Sequence, residues 1–240
     1  MVFAAEQQQH IIGDYMINLY NKDCMKFMAD KPDKYYDLAI VDVPYGSKNI
    51  QGGYTSGIGG QGSAKQKNYC KSIWKCGCPD KQYFEELFRV SKDQIIWGAN
   101  HFMSKIPFDS SCWIVWDKKN ENTDYADCEL AWTSFNSAVR KFEFMWNGML
   151  QGDMKNKQQR IHPTEKPVSL YEWLLDKYAK KGNKIFDSHG GSMSSAIACY
   201  NLGYDLDICE LDPEYFKQAK ERFEQHTRQI RLTDFTEQTK

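Results

Sequence analysis

Apolar positions along the chain fall into two alternating kinds of run. Short stretches rich in β-branched and aromatic residues, bounded by polar or turn residues, predict strands at Tyr15–Tyr20, Tyr36–Val41, Gln94–Trp97, Cys112–Trp116, Cys128–Thr133, Lys184–Asp187 and Tyr204–Cys209. Between them, apolar residues recur at helical spacing. Asp80 to Val90 aligns Tyr83, Phe84, Leu87 and Phe88, while Pro167 to Tyr178 opens on proline and aligns Val168, Tyr171, Leu174, Leu175 and Tyr178. A further helix is expected from about Met193 to Asn201, stopped by Gly203, and a last one begins with Asp212 as cap and Pro213 in its first turn. Strand and helix in alternation predict an α/β domain with a mostly parallel sheet.

Two stretches break this rhythm. Gly46 to Ser63 is dense in glycine and without period, which predicts a mobile loop over 46–79, directly after the strand that ends near Asp42. Asn120 to Ile161 carries scattered aromatics and the cations Lys155, Lys157 and Arg160.

Composition narrows the class. At 240 residues, 41% apolar and 14% aromatic, the chain can bury one large core, and no internal repeat divides it. Met1 to His10 lacks the continuous apolar core of an export signal, and no run approaches the roughly 18 apolar residues of a membrane span. With a mean hydropathy of −0.68, a soluble intracellular protein is expected. The eight cysteines are then expected to be reduced, Cys112, Cys128, Cys199 and Cys209 as small core residues. Cys70, Cys76 and Cys78 share a polar loop, but no second cluster follows to complete a zinc site, so no metal is expected. A net charge of −1 means that any nucleic-acid surface must be local. Lys155, Lys157 and Arg160, with Arg140 and Lys141, are candidates, as are Lys65, Lys67, Lys71 and Lys75. Solvated surface charge accounts for each run equally well.

Two segments carry chemistry. Asp42-Val43-Pro44-Tyr45 follows an apolar run and reads as a buried strand presenting a carboxylate and a flat ring at its C-terminal edge, where open α/β sheets bind ligands. Lys184 to Ser192 is a strand, an acid (Asp187), the glycine pair Gly190-Gly191 and then a helix start, a turn that lets backbone approach a ligand. A second strand ends in Glu210, at the offset from which an acid accepts hydrogen bonds from ribose hydroxyls. Alone, this second segment fits a tight turn with a capping acid just as well.

The order of these motifs, with His162-Pro163-Thr164-Glu165-Lys166-Pro167 between them and Glu210-Leu211-Asp212-Pro213 after them, resembles the S-adenosylmethionine-dependent DNA amino-methyltransferases of the permuted beta class. The resemblance runs from Asn21-Lys22-Asp23 to the helix after Pro213, and Trp97 to Asn100 and Trp113 to Lys118 look like the central strands of phage and bacterial members. It implies a single catalytic domain with a Rossmann-like, mostly parallel seven-stranded sheet in circularly permuted order and a small target-recognition insert over about 118–161. It also implies S-adenosyl-L-methionine as cofactor. Asp42, Val43, Pro44 and Tyr45 would be catalytic, and Asp23, His162, Thr164, Lys166, Asp187, Gly190, Gly191, Ser192 and Glu210 would bind cofactor. In that family the segment of His162, Thr164 and Lys166 helps hold the methionine end of the cofactor, and Asp23 matches an acid near its adenine.

Three departures stand out. Val43 replaces the first proline of the catalytic motif, Glu165 replaces a glutamine, and Met193 replaces the last glycine of the cofactor turn. Valine keeps the backbone carbonyl that the chemistry uses. Methionine threatens to crowd the turn, unless Gly190-Gly191 moves the flexible point upstream.

An exocyclic base amine is a poor nucleophile because its lone pair is delocalised into the ring, and acceptors at Asp42 and the Val43 carbonyl would draw that pair back onto nitrogen. Tyr45 would stack on a base flipped out of duplex DNA. The leading expectation is methylation of adenine N6 in DNA in a bacterial or phage-infected cytoplasm, with a homodimer as one way to enlarge a small recognition surface. Methylation of cytosine N4, and a non-catalytic cofactor- or DNA-binding relative, stay open.

Overall fold

The computed structural model describes residues 6–45, 78–121, 126–147, 150–155, 161 and 165–237. The elements are β1 (Glu6–Ile12), β2 (Tyr15–Asn21), α1 (Cys24–Ala29), β3 (Tyr36–Asp42), α2 (Lys81–Val90), β4 (Ser91–Trp97), β5 (Trp113–Asp117), β6 (Cys128–Thr133), β7 (Arg140–Glu143), β8 (Trp146–Asn147), β9 (Leu150–Gln151), α3 (Val168–Tyr178), β10 (Lys184–Asp187), α4 (Ser194–Leu202), β11 (Asp205–Cys209) and α5 (Pro213–Glu237). All seven predicted strands are present, and α2 to α5 match the predicted helices.

The main sheet has nine strands in the order β1-β2-β11-β10-β3-β4-β6-β5-β7, and β8 pairs with β9 apart from it. The expected seven-stranded sheet is its centre; β1 and β7 extend the two edges. β2, β11, β10, β3 and β4 run parallel, and β6 is antiparallel to its neighbours β4 and β5. β1 folds back on β2 as a hairpin through Gly13, whose φ of 57° is left-handed. β7 and β6 both lie within 118–161, so much of that stretch belongs to the sheet.

Central strands are apolar on both faces because both faces are covered. Leu38 and Ile40 of β3 and Ile185 of β10 pack into a cluster with α3, α4 and α5, whereas Ala39, Val41 and Phe186 pack on the other side with α1 and α2. Successive side chains thus supply two cores from one strand. Pairing of Ile185 with Leu38 and Phe186 with Ala39 makes β3 and β10 adjacent and parallel, so both release their chains at the same edge of the sheet. The chain turns away in opposite directions from these two strands, toward β4 and toward β11, which opens a crevice between their tips. Among the described residues, no helix is long and apolar enough to cross a membrane.

Candidate active site

At the tip of β3, Asp42 is held by an ion pair from a distant segment. Lys166 Nζ lies 2.8 Å from Asp42 Oδ2 and 2.9 Å from Glu129 Oε2, and its side chain is only 2% exposed. Glu129 on β6 also receives Lys118, 2.5 Å from its Oε1. Charges therefore alternate along the line Asp42, Lys166, Glu129, Lys118. The two ammonium groups lie over indoles, Lys166 at 5.3 Å from the Trp97 ring and Lys118 at 5.4 Å from the Trp116 ring. Burial pushes the Asp42 carboxyl up, against the pull of Lys166. Burial acts on Glu129 too, but Lys166 and Lys118 together outweigh it and hold this acid at about 2. Lys166, facing two carboxylates, stays charged well above the ordinary lysine range in spite of its burial.

Next along the chain, Val43 is fully buried against the α2-side core, which fixes the backbone that carries its carbonyl. Tyr45 stacks face to face on His101, with centroids 4.5 Å apart and planes 3° from parallel. Its ring also lies against Gly98. A Cβ there would come within 2.4 Å of Tyr45 Cδ1, and the φ of 71° is left-handed, so only glycine leaves this ring its seat.

The β10 and β11 tips are built from local hydrogen bonds instead. Asp187 accepts from the His189 backbone N–H at 3.0 Å and from Ser195 Oγ at 2.6 Å. Glu210 accepts from Gly191 N at 2.8 Å and Asp212 N at 2.8 Å, so one carboxylate ties the glycine turn to the start of α5. Burial raises both acids to about 7 against the pull of these hydrogen bonds. Ser188 Oγ bonds Tyr83 Oη at 2.6 Å and His189 Nδ1 at 2.8 Å, and burial lowers the His189 imidazole to about 4. Gly190 is tightly packed: a Cβ would meet Ile208 side-chain carbons at 3.0 Å and push that side chain aside.

At the glycine turn the left-handed backbone lies both upstream, as expected for the glycine pair, and at Met193 itself. Gly191 has a φ of 51° and Met193 a φ of 57°. The Met193 side chain is fully buried in the core with α3 and α4. The left-handed backbone at Met193 costs about 1–2 kcal/mol.

Of the other sequence-predicted site residues, Asp23 caps α1, accepting from Met25 N at 2.9 Å and Lys26 N at 3.1 Å, beside the β2 end. Ser192 Oγ bonds Ser194 Oγ at 3.0 Å. Lys166, expected at the methionine end of the cofactor, has its ammonium between Asp42 and Glu129. His162 and Thr164 lie outside the described residues, as do the loop residues 46–77 with Lys65, Lys67, Cys70, Lys71, Lys75 and Cys76, and the cations Lys157 and Arg160. Lys141, a candidate phosphate contact, pairs at the sheet edge with Glu143 and, at 3.4 Å, with Asp117, and its side chain stays half exposed.

Sequence reasoning missed Glu129, Lys118, His101 and Arg222. The last, on α5, donates to Ser192 O at 2.8 Å and Ser194 Oγ at 3.0 Å and sits 3.2 Å from Glu165 Oε1, joining the segment before α3 to the glycine turn. The carboxylate at 165, where the resembled family has an amide, is thereby matched by a guanidinium. An acid inside the otherwise apolar run Cys128–Thr133 was the available signal for Glu129.

A family model described as DNA methylase, of the N6/N4 class, matches residues 14–221. The chain is 22% identical over 248 aligned positions to the type II methyltransferase M2.MboI of Moraxella bovis, covering 89% of this chain and 90% of that protein. It is 32% identical over 69 residues to the type II methyltransferase M.HpaI of Haemophilus parainfluenzae, an alignment spanning 29% of this chain and only 22% of that relative. Among solved structures, the M1.HpyAVI–SAM complex superposes with a TM-score of 0.51 at 21% identity, over 86% of this chain and 100% of that one, a likeness of fold.

Proposed function

The chain belongs to the DNA methylase family whose model spans residues 14–221, and from that premise we propose that it transfers a methyl group from S-adenosyl-L-methionine to the N6 amine of adenine in DNA. The observation that carries this reading is the adjacency of β3 and β10, which brings Asp42 and the Gly190-Gly191 turn to one edge of the sheet. The acids around the turn fit the cofactor's charge. Asp187 and Glu210, both raised to about 7, form no ion pair with any described residue, so the pocket suits a ligand whose sulfonium and ammonium outnumber its carboxylate. Gly191, Glu210 and Ser192 would hold it from the turn, Asp23 from the β2 end, and His162 and Thr164 from the segment before Lys166.

When bound, the cofactor supplies a methyl carbon on a sulfonium that departs as a neutral thioether. Asp42 and the Val43 carbonyl accept N–H bonds from the adenine amine, which localises its lone pair for in-line attack. The nitrogen then loses one proton, which Asp42 takes up and passes to water; burial makes this carboxyl a better base than an exposed one. Tyr45, backed by His101, offers a stacking surface for a base that has left the duplex at a cost of about a few kcal/mol. Lys155, exposed after β9, supports a phosphate grip from the 118–161 region, which adds affinity without reading sequence. A homodimer would enlarge that surface, and action on DNA would place the chain in the cytoplasm of a bacterial or phage-infected cell.

Tritiated-methyl transfer to unmethylated DNA, followed by nucleoside-resolved mass spectrometry, tests the proposal. N6-methyladenine is the expected product, absent with Asp42→Ala. N4-methylcytosine would keep the chemistry and overturn the base, and no labelled base at all would overturn the activity.

A further inference from the structure

Asp42 is asked to attract an amine that turns cationic as it is methylated, yet it lies against a buried lysine. In an isolated Asp42–Lys166 pair the ammonium would be held by Asp42 alone and would compete with the amine for the carboxylate's acceptor oxygens. Glu129 changes this balance. It lies 2.9 Å from the same Lys166 Nζ, and its other oxygen is engaged by Lys118. Lys166 is therefore shared between two carboxylates, and the second cation stands one position further from Asp42.

We propose that Glu129 is a positioning residue for methyl transfer: it anchors Lys166 and offsets its charge, so that Asp42 keeps an acceptor oxygen and a negative field for the amine. The inference rests on the methyltransferase reading above and extends it to a residue on a different strand. Three features support it. Glu129 is fixed in register opposite Trp116, whose neighbour Trp97 lies under Lys166, so the quartet sits on a rigid aromatic floor. Lys166 is almost fully buried and cannot swing into water when Glu129 is lost. The four charges cancel as built, and neutralising Glu129 alone leaves the reacting centre with one positive charge in excess.

In chemical terms, the amine nitrogen forms a bond to the methyl carbon while the carbon–sulfur bond breaks with its pair going to sulfur. The nitrogen's surplus proton passes to Asp42. Excess positive charge opposes the first event through the developing ammonium and the second by lowering the basicity of Asp42.

The test compares Glu129→Gln, Glu129→Asp and the double variant Glu129→Gln with Lys166→Gln, using tritiated-methyl transfer to unmethylated bacterial DNA and calorimetric binding of S-adenosylmethionine. Glu129→Gln should lower kcat on the order of 10–100-fold with KM for DNA and cofactor Kd within about twofold, and Glu129→Asp should recover most of the loss. The double variant, in which the charges cancel again, should exceed the single Gln variant by about fivefold or more. Unchanged kcat in Glu129→Gln would overturn the inference, as would a double variant no better than the single one, the pattern of a merely structural contact. If Glu129→Gln does not fold, the double variant decides alone: activity within about tenfold of wild type supports the role, and a loss as deep as that of Asp42→Ala overturns it. An inactive wild type would instead strike the methyltransferase reading, and this inference with it.

Discussion

The tip of β3 and the tips of β10 and β11 each present acids at the same edge of the sheet, but they are stabilised in opposite ways. Asp42 is countered by a lysine brought from a remote segment and shared with an acid on β6. Asp187 and Glu210 are held only by neighbouring backbone and hydroxyl groups, and both remain near neutrality at about 7. One half of the crevice carries its own counter-charge; the other is left to receive one. The difference matches a division of labour in which β3 handles the reacting amine and the glycine side handles a cationic cofactor.

The sharpest way to break this division is to remove each acid and ask what is lost. Asp42→Asn keeps the shape of the side chain and removes its charge, and should lower kcat by about 100–1000-fold while calorimetric cofactor binding barely moves. A comparable loss of cofactor affinity would merge the two halves into one. Glu210→Ala should do the reverse, weakening cofactor binding about 10–100-fold, because it removes a charged acceptor and frees the Gly191 turn. DNA binding measured by fluorescence anisotropy should stay within about twofold of wild type in the same variant.

A smaller effect follows from pH. Because Asp187 and Glu210 titrate near 7 in the folded chain, a cation binds best once they are ionised. Cofactor Kd should therefore tighten several-fold from about pH 6 to 8, with protons released on binding. The stability of the ligand-free chain moves the other way. Their folded values lie above those of the unfolded chain, so the folded state holds extra protons, and this stabilisation is lost as pH rises from about 4 through 7. The cofactor-induced rise in Tm should accordingly be larger at pH 8 than at pH 6, and a shift that does not depend on pH would remove these acids from the binding step.

The glycine half was legible in the sequence because everything that shapes it is local. Asp187, Gly190, Gly191 and Glu210 mark their own strand ends and turn. Asp42-Val43-Pro44-Tyr45 was legible for the same reason, but its surroundings were not. Glu129 reaches Lys166, and Lys118 reaches Glu129, only through the antiparallel pairing of β6, and no spacing along the chain encodes that meeting. Arg222 is similarly hidden, since its partners Ser192 and Glu165 come from two other segments. Among the elements, β1 escaped because Gln7-Gln8-Gln9 shows no alternation and its pairing with β2 supplies the order. α1 escaped because it is only six residues long and depends on the Asp23 cap. β7 escaped because Arg140-Lys141 and Glu143 leave it only one apolar residue, Phe142; its strand is an edge of the sheet, with Lys141 paired to Glu143.

Met193 ties the pocket to the interior. The residue that bends the backbone at the glycine turn also fills a place in the α3–α4 core, so the turn has no hinge of its own. Exchange of amide hydrogens along Gly190 to Ser194 should thus be as slow as in the core, and the pocket floor should open only when the interior breathes.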